Sequence, residues 1–223
     1  MDKPAITAPA PWLLTGHGMV LLYHFPGSFI NQFGFLDPYQ EATFKGWLGA
    51  VMLNCYETSN VGPYYELLFI PGLFLFGRRL SFSISKIYVS SEDSAQNGQD
   101  NWGIPKELAD FKVTNLSDGS QIIEVGPPAP GQYFFRLHIK KWGWALPFTT
   151  QLIPLNRIIQ QASADLLQTR PQVRGKVQFC SVEHILVNPR FFPPINQLKP
   201  LASFYLPQFK LVFPVPKILT RRK

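Results

Sequence analysis

The sequence contains little cysteine and little charge, and each shortage excludes a class of protein. Only two of its 223 residues are cysteines, Cys55 and Cys180, and they stand far apart in apolar runs. A disulfide-stabilised scaffold needs a denser pattern, so we expect buried free thiols. Charged residues make up 16% of the chain, below the usual share of about a quarter. The length suits one domain with a substantial core, and we predict a single domain over residues 1–223.

No segment has the pattern of a leader peptide or of a membrane span. The opening MDKPAITAPAPW lacks a basic region followed by an apolar run. The longest apolar stretch, YYELLFIPGLFLFG, is interrupted by Glu66 and Pro71 and is too short to cross a bilayer. These absences predict a soluble, cytoplasmic protein.

The formal net charge of +7 invites a nucleic-acid interpretation, but the charge is unevenly distributed. Five basic residues fall within 210–223, which leaves a nearly neutral body, so we predict a basic C-terminal tail there. HIKKWGWALPF mixes bases with aromatic residues, yet no recognised nucleic-acid-binding module accompanies it, so we expect no nucleic-acid partner. The alternative for the tail is weak contact with an anionic membrane surface, because FKLVFPVPKILTRRK combines apolar and basic residues.

Aromatic residues, proline and glycine are abundant instead. The chain has 19 Phe, 8 Tyr and 5 Trp, more aromatic surface than an average core requires. A large interior, an apolar ligand cavity or an oligomer interface would each use this surface, and composition does not choose among them. The 21 prolines and 16 glycines favour many short segments.

The apolar pattern is mostly that of strands. Residues 46–57 and 79–90 are runs of strand length rich in Val, Ile, Phe and Tyr, and QIIEVG, QYFFRLHIK and GKVQFCSVEHILV follow the same pattern. One short helix is predicted to begin at Pro105, because proline suits the first helical position. The spacing of NRIIQQASADLLQT, residues 156–169, predicts a second helix. We therefore predict a mainly β fold: an antiparallel curved sheet or closed barrel that encloses a pocket, with one or two short helices.

One lysine, Lys106, stands between a proline and a glutamate in NGQDNWGIPKELADF. This segment resembles the central motif of the acetoacetate decarboxylase family, in which a glycine, usually followed by arginine and glutamate, precedes a PK pair. Upstream, TSNVGPYYE resembles the family segment that supplies an active-site glutamate, here Glu66. The resemblance covers residues 11–111 best. It implies that Lys106 forms a Schiff base with a keto acid, and because relatives assemble into oligomers, it also implies a homo-oligomer.

The motif departs from the family pattern where the family carries charge. Gln99 and Asp100 stand where the family has arginine and glutamate, and Glu107 replaces the second lysine of true acetoacetate decarboxylases. A second family glutamate falls at Val51, and an N-terminal arginine falls near Gly16. These differences weaken the case for a small acidic substrate, since nothing else obvious would bind a carboxylate through two hydrogen bonds.

Schiff-base chemistry requires a neutral amine, which an unperturbed lysine rarely provides. With a pKa near 10.4, only about one such lysine in two or three thousand is neutral at pH 7. Because desolvation disfavours the charged form, apolar walls are expected to activate Lys106. The predicted catalytic residues are Lys106 and Glu66, and the predicted substrate-binding residues are Tyr64, Gln99, Asp100, Trp102 and Ile104.

Two functions follow from the sequence. The first is a lyase, a decarboxylase or an aldol- or dehydration-type enzyme, acting on a keto acid or related carbonyl compound through Lys106. The second is a non-catalytic barrel that binds an apolar small molecule. Neither needs a cofactor, and the four histidines have no spacing that suggests a metal site.

Overall fold

The structure is a computed structural model that describes residues 6–129, 131–152 and 155–219. It is built mainly from strands. In chain order these are β1 (Trp12–His24), β2 (Phe44–Gly46), β3 (Leu48–Thr58), β4 (Tyr64–Ile70), β5 (Leu73–Phe76), β6 (Arg79–Phe82), β7 (Lys86–Val89), β8 (Lys106–Leu108), β9 (Asp110–Asn115), β10 (Ser120–Gly126), β11 (Phe135–Thr149), β12 (Ile158–Ala162), β13 (Asp165–Thr169), β14 (Gln172–Val187), β15 (Ala202–Phe213) and β16 (Lys217–Leu219). The helices are α1 (Gly27–Phe33), α2 (Pro38–Glu41) and α3 (Glu92–Trp102), with 3-10 turns at Thr150–Leu152 and Ile195–Gln197.

Ten strands form one sheet that curls into a nearly closed barrel. Their order is β8-β7-β4-β3-β1-β15-β14-β11-β10-β9, and neighbours are antiparallel except for the parallel pair β7–β8. The two edge strands, β8 and β9, are joined through the single residue Ala109, so the two ends of the sheet meet. The predicted fold class, a mainly β curved sheet or barrel, is confirmed.

Side chains alternate between the two faces of this sheet and form two separate cores. The inner core collects residues from strands around the whole barrel, such as Leu21, Leu53, Leu67, Ile123 and Leu137, all buried. The outer core lies on the opposite face of β1, β3, β4 and β7 and includes α3; its members include Trp12, Tyr64, Leu68, Ile87, Val89, Trp102 and Ile104. Residues of β4 show the division clearly, since Leu67 belongs to the inner core and Leu68 to the outer.

A second, six-stranded sheet has the order β16-β13-β12-β6-β5-β2. The helix predicted over residues 156–169 is wrong, because this segment forms the hairpin β12–β13, with Ala162 opposite Asp165. The turn places Ser163 at φ 53°, outside the helical region. Ile159 and Leu167 are buried in this hairpin as they would have been in a helix, so their spacing alone did not separate the two structures.

The helix predicted to begin at Pro105 is also wrong, because the helix of this region, α3, ends before that residue. Ser91 caps its first turn by accepting a hydrogen bond from the backbone of Ser94. Gly103 ends it in the left-handed conformation, at φ 66°. Residues 106–108 then join β7 as a parallel strand.

Other sequence expectations differ in detail. The predicted strand over residues 79–90 is two strands, β6 and β7, which lie in different sheets. Of the predicted C-terminal tail, residues 210–219 instead contain the end of β15 and all of β16, while residues 220–223 lie outside the described residues. Cys55 is half-buried, Cys180 is buried, and both are free thiols. No helix within the described residues is long and apolar enough to cross a membrane.

Candidate active site

Lys106 and Glu66 lie on neighbouring parts of the same sheet face, in the outer core. Lys106 is opposite Ile87 in the β7–β8 pair, and Glu66 is opposite Val89 in the β4–β7 pair. Both side chains therefore lean over β7 from its two sides. The Lys106 Nζ atom lies 3.3 Å from Glu66 Oε2, and the two side chains are only 4% and 6% exposed.

Two polar side chains from β3 complete the surroundings of the Glu66 carboxylate. The Tyr56 hydroxyl donates to Glu66 Oε1 at 3.0 Å, and the Asn54 amide donates to the same oxygen at 3.3 Å. The carboxylate thus faces an amine on one oxygen and two donors on the other. These donors replace the hydrogen bonds to water that a carboxylate loses on burial.

Helix α3 presses its Ser94–Gly98 face against the lysine. Lys106 Nζ donates to Ser94 Oγ at 3.0 Å, and both residues are buried. A Cβ atom added at Gly98 would lie 2.7 Å from Lys106 Cδ and 2.9 Å from Cε, so only glycine leaves this space for the lysine chain. Ser94 and Gly98 are one helical turn apart and share a face. Sequence reasoning missed Ser94 because the helix was predicted in the wrong place.

Aromatic rings form the walls around the amine. The Lys106 Nζ atom lies 5.1 Å from the centre of the Tyr64 ring and 5.6 Å from that of Trp12. Trp102 stands behind Trp12, with ring centres 5.1 Å apart, and its indole N–H donates to the Pro214 carbonyl. Of the predicted substrate-binding residues, Tyr64 is therefore beside the amine and Trp102 is one layer away.

The remaining predicted residues are placed differently. Ile104 is buried in the same outer core. Gln99 is exposed, and its amide donates to the backbone carbonyl of Lys106 at 3.0 Å, so it holds the strand and not the amine. Asp100 is exposed and accepts hydrogen bonds from Gln96, away from the lysine. Glu107 points to the other face of β8, where it pairs with Lys86 at 2.6 Å.

No second cation approaches the carboxylate within the described part of the chain, where Lys106 is its sole ion-pair partner. The surroundings of Val51 and Gly16, the two positions matched to charged residues of the family, explain part of this absence of further charge. Val51 belongs to the inner core, on the other face of β3. At Gly16 an added Cβ would lie 1.9 Å from the Cys55 carbonyl oxygen, so no side chain fits there.

Burial and the ion pair act on the amine in opposite directions. Desolvation lowers the pKa of Lys106 below its ordinary value, whereas the Glu66 carboxylate acts to raise it, and the net effect is a decrease. Burial raises the pKa of both Tyr56 and Tyr64, and the nearby Glu66 charge adds to this, so both phenols stay protonated. The site therefore combines an amine that loses its proton more readily than usual with a carboxylate and two neutral hydroxyl donors.

The cavities nearby are separate from this pair. One of about 20 Å³ lies on the inner face, lined by residues such as His17, Cys55 and Gln121. An open groove of about 640 Å³ runs between β14 and residues 196–203. Neither is lined by Lys106 or Glu66. Among the described residues, no group of three His, Cys, Asp or Glu side chains is placed to hold a metal ion.

Solved structures with this architecture are acetoacetate decarboxylases and similar enzymes. The chain superposes on acetoacetate decarboxylase from Legionella pneumophila subsp. pneumophila str. Philadelphia 1 with a TM-score of 0.73 and 13% identity, covering 99% of this chain and 92% of that one. For another acetoacetate decarboxylase structure the TM-score is 0.74 at 11% identity, covering 96% and 91%. The enduracididine biosynthesis enzyme MppR, complexed with the condensation product of pyruvate and imidazole 4-carboxaldehyde, gives 0.65 at 12%, covering 99% and 94%.

No protein-family model and no curated protein matches the sequence. The structural likeness extends over nearly the whole chain, well beyond the residues 11–111 that carry the sequence motifs. The fold is therefore that of acetoacetate decarboxylase and of enzymes similar to it, as the motifs around Lys106 and Glu66 predicted.

Proposed function

We propose that this protein is a Schiff-base-forming enzyme, a carbon–carbon lyase that acts on a carbonyl compound through Lys106. The observation that carries the proposal is the buried Lys106 amine, 3.3 Å from the Glu66 carboxylate and flanked by the rings of Tyr64 and Trp12. A lysine with a lowered pKa in apolar surroundings is suited to imine formation. The acetoacetate decarboxylase fold adds an argument by analogy.

The proposed reaction begins when the neutral amine attacks the substrate carbonyl carbon. The resulting carbinolamine loses water and becomes a protonated imine. Electrons from the bond that breaks then flow to the imine nitrogen, which leaves an enamine and releases either carbon dioxide or an aldehyde. Glu66 is suited to move the proton, by accepting it from a β-hydroxyl group or by returning it to the enamine carbon. Hydrolysis of the product imine restores the amine.

The substrate is expected to be less acidic than acetoacetate. A β-keto acid brings a carboxylate, and among the residues that the structure describes no arginine or second lysine forms an ion pair at Lys106 and Glu66 that could be shared with it. Burying that carboxylate beside Glu66 would be unfavourable, because like charges repel strongly where water is excluded. A neutral β-hydroxy ketone, whose cleavage releases an aldehyde, avoids this cost.

The test is borohydride trapping with a panel of β-keto acids, β-hydroxy ketones and bulkier ketones, read by peptide mass spectrometry. We expect a reduced adduct on Lys106 with at least one neutral carbonyl compound, and its loss in Lys106→Ala. The exposed Lys112, which we expect to label with general amine reagents, is the internal control. Turnover that survives undiminished in Lys106→Ala would refute the proposal.

A second candidate is a binding protein that holds an apolar molecule without chemistry. The same ion pair favours it, because the Lys106 amine is engaged by Glu66 and Ser94 and must give up these contacts before it can attack a carbonyl carbon. Native mass spectrometry of the purified protein should then detect a bound apolar compound that Lys106→Ala still retains. Protein that is repeatedly empty, together with a Lys106 adduct, would favour the enzyme.

A further inference from the structure

Residues 6–11 form an extended segment, the strap, that lies along α3. It is held by three side chains of the helix, Asp93, Asn97 and Asn101, spaced one turn apart. The Ile6 amide donates to Asp93 Oδ1 at 2.8 Å, and the Ala8 amide donates to Asn97 Oδ1 at 2.7 Å. The side chains therefore bind the strap much as a neighbouring strand would.

Hydrogen bonds between α3 and the strap run in both directions and continue to the end of the strap. The Asn97 and Asn101 amides donate to the carbonyls of Ile6 and Ala8, at 2.6 and 2.8 Å. The Ala10 amide donates to Asn101 Oδ1 at 3.1 Å. Positions 9 and 11 are prolines without an amide hydrogen, and the backbone donors at 6, 8 and 10 all serve α3.

The strap fixes Trp12, and Trp12 closes the lysine site. The indole N–H of Trp12 donates to the Ala8 carbonyl at 2.8 Å. Its ring faces the Lys106 amine at 5.6 Å and packs edge-on against Trp102 at 5.1 Å. Trp12 is 1% exposed, and the Lys106 side chain beneath it is 4% exposed. A carbonyl compound has no room to reach the amine while the ring is in this position.

The contacts of the strap are of a kind that opens easily. The strap is attached mainly by hydrogen bonds between side chains and backbone; of its side chains only that of Ala8 is buried, and Ile6 is 48% exposed. Segments that bury few apolar side chains open at low free-energy cost compared with the core. The opening ends at residues 11–13, where the Asn60 amide donates to the Pro11 carbonyl and the Leu13 amide donates to Asn60 Oδ1. The Trp12 backbone therefore stays in β1, and its ring moves by rotation of the side chain once the hydrogen bond to Ala8 is lost.

We propose that the strap is a gate over Lys106 and that Trp12 is the residue that determines the size of the carbonyl compound admitted; this inference rests on the proposed function of Lys106. When the strap leaves α3, the Trp12 ring leaves the amine and the substrate carbonyl takes its place against Tyr64. Closure then removes water from the imine. Asn97 and Asn101 are positioning residues, since they contact the strap and act on the amine through Trp12.

The first test compares wild type, Asn101→Ala and Asn115→Ala in reductive alkylation with acetaldehyde and cyanoborohydride. Asn101→Ala removes two strap contacts, whereas Asn115→Ala removes a comparable side-chain hydrogen bond, to Gln121 on the barrel. Losing two hydrogen bonds should raise the open population, and so the rate of Lys106 alkylation, about tenfold in Asn101→Ala. Lys112 should be unaffected. If Lys106 is alkylated at the same rate in Asn101→Ala as in wild type, whether that rate is high or zero, the gate is overturned.

The second test measures size selection with Trp12→Phe, which keeps an apolar ring but is smaller and cannot donate to Ala8. Rates of Lys106 alkylation by benzaldehyde and by acetaldehyde are compared in the same protein. We expect the benzaldehyde-to-acetaldehyde ratio to rise at least about threefold over wild type; an unchanged ratio removes Trp12 from size selection. Both aldehydes alkylate any accessible neutral amine, so these two tests do not require enzymatic turnover. If they support the gate while no carbonyl compound is turned over, the result counts against the proposed function and not against the gate.

Discussion

Lys106 and Glu66 are each more than nine-tenths buried, so each depends on the other for electrostatic compensation. Placing two charges in the outer core costs desolvation energy that a hydrophobic pair would avoid. The structure offsets part of this cost with four polar contacts to Tyr56, Asn54 and Ser94 and between the pair itself. An arrangement that costs stability and is so fully supplied with partners is typical of a functional site.

The opposing effects on Lys106 lead to a prediction for Glu66→Gln. The carboxylate acts to raise the pKa of Lys106 and burial acts to lower it, so removing the negative charge leaves burial uncompensated. The pKa of Lys106 should therefore decrease further, and the pH midpoint for its alkylation should move to lower pH. The measurement is the rate of reductive alkylation of Lys106 across pH, with Lys112 as reference.

In Glu66→Gln, the rate of imine trapping and the rate of turnover should change in opposite directions. More neutral amine favours trapping at neutral pH, whereas the proton-transfer role proposed for Glu66 is lost, which typically costs about a hundredfold or more in rate. Faster trapping together with slower turnover is the expected result. A pH midpoint that moves upward would mean that Glu66 does not act on the amine as the geometry indicates.

At the scale of elements, α3 connects the lysine to the rest of the chain. One of its faces carries Ser94 and Gly98 against Lys106, and the adjacent face carries Asn97 and Asn101 against the strap. The helix is anchored at both ends by its Ser91 cap and by Gly103. The position of the amine is therefore set by the helix as much as by β8.

This dependence predicts an unusual result for Gly98→Ala. Alanine favours a helix over glycine by about 1 kcal/mol, so the helix itself should gain stability. The new Cβ would nevertheless meet Lys106 Cδ at 2.7 Å and must displace the lysine chain. We expect a folded protein whose Lys106 trapping falls by about ten- to a hundredfold, because a shift of about 1 Å has that effect on a reacting group.

The matched control is Gly27→Ala in α1, where an added Cβ meets nothing within 4 Å. Thermal unfolding and Lys106 trapping measured on both variants separate a folding effect from an effect on the site. Gly27→Ala should leave trapping unchanged. If trapping in Gly98→Ala stays at the wild-type level, the Lys106 side chain can accommodate the added Cβ atom without moving its amine, and the prediction is wrong.

Most strands were predictable from the sequence, whereas the helices were not. The first part of β11 buries Phe135, Leu137 and Ile139 in alternation with more exposed polar residues, and this period-two pattern is visible in the sequence. In α3 the buried residues are mostly polar or small, such as Ser94, Asn97 and Gly98, so it has no apolar stripe to detect. Its cap at Ser91, the acidic first turn and the closing Gly103 were the available signal.

The same limit applies to the site. Lys106 and Glu66 were found from local motifs, and the structure brings them together although they are forty positions apart in sequence. Ser94, Trp12 and Asn54 were missed because their contacts with the pair depend on long-range packing that no local motif records. Asp100 was predicted from its place in the motif, but the helix turns it to solvent.

For the whole molecule, the unexplained feature is a row of aromatic side chains on the outer sheet face, beyond the outer core. Trp142, Phe179 and Phe204 are directly opposite one another on β11, β14 and β15. Their ring centres are 5.0 and 5.4 Å apart, and Trp142 is 53% exposed. Stacked exposed aromatics of this kind are enriched in protein interfaces.

We therefore predict that the protein forms a homo-oligomer, the state that the family resemblance implies, and that it does so through this aromatic row. Phe179→Lys should weaken association, since a buried aromatic at the centre of an interface typically contributes about 2 kcal/mol or more, which is about thirtyfold in dissociation constant. Leu116→Lys is the control, because Leu116 is a similarly exposed apolar residue that lies away from the row, in the β9–β10 turn. Sedimentation velocity over a range of concentrations measures both. The prediction is wrong if the wild-type protein is monomeric at every concentration. It is also wrong if Phe179→Lys associates as strongly as Leu116→Lys, because the aromatic row would then not mediate self-association.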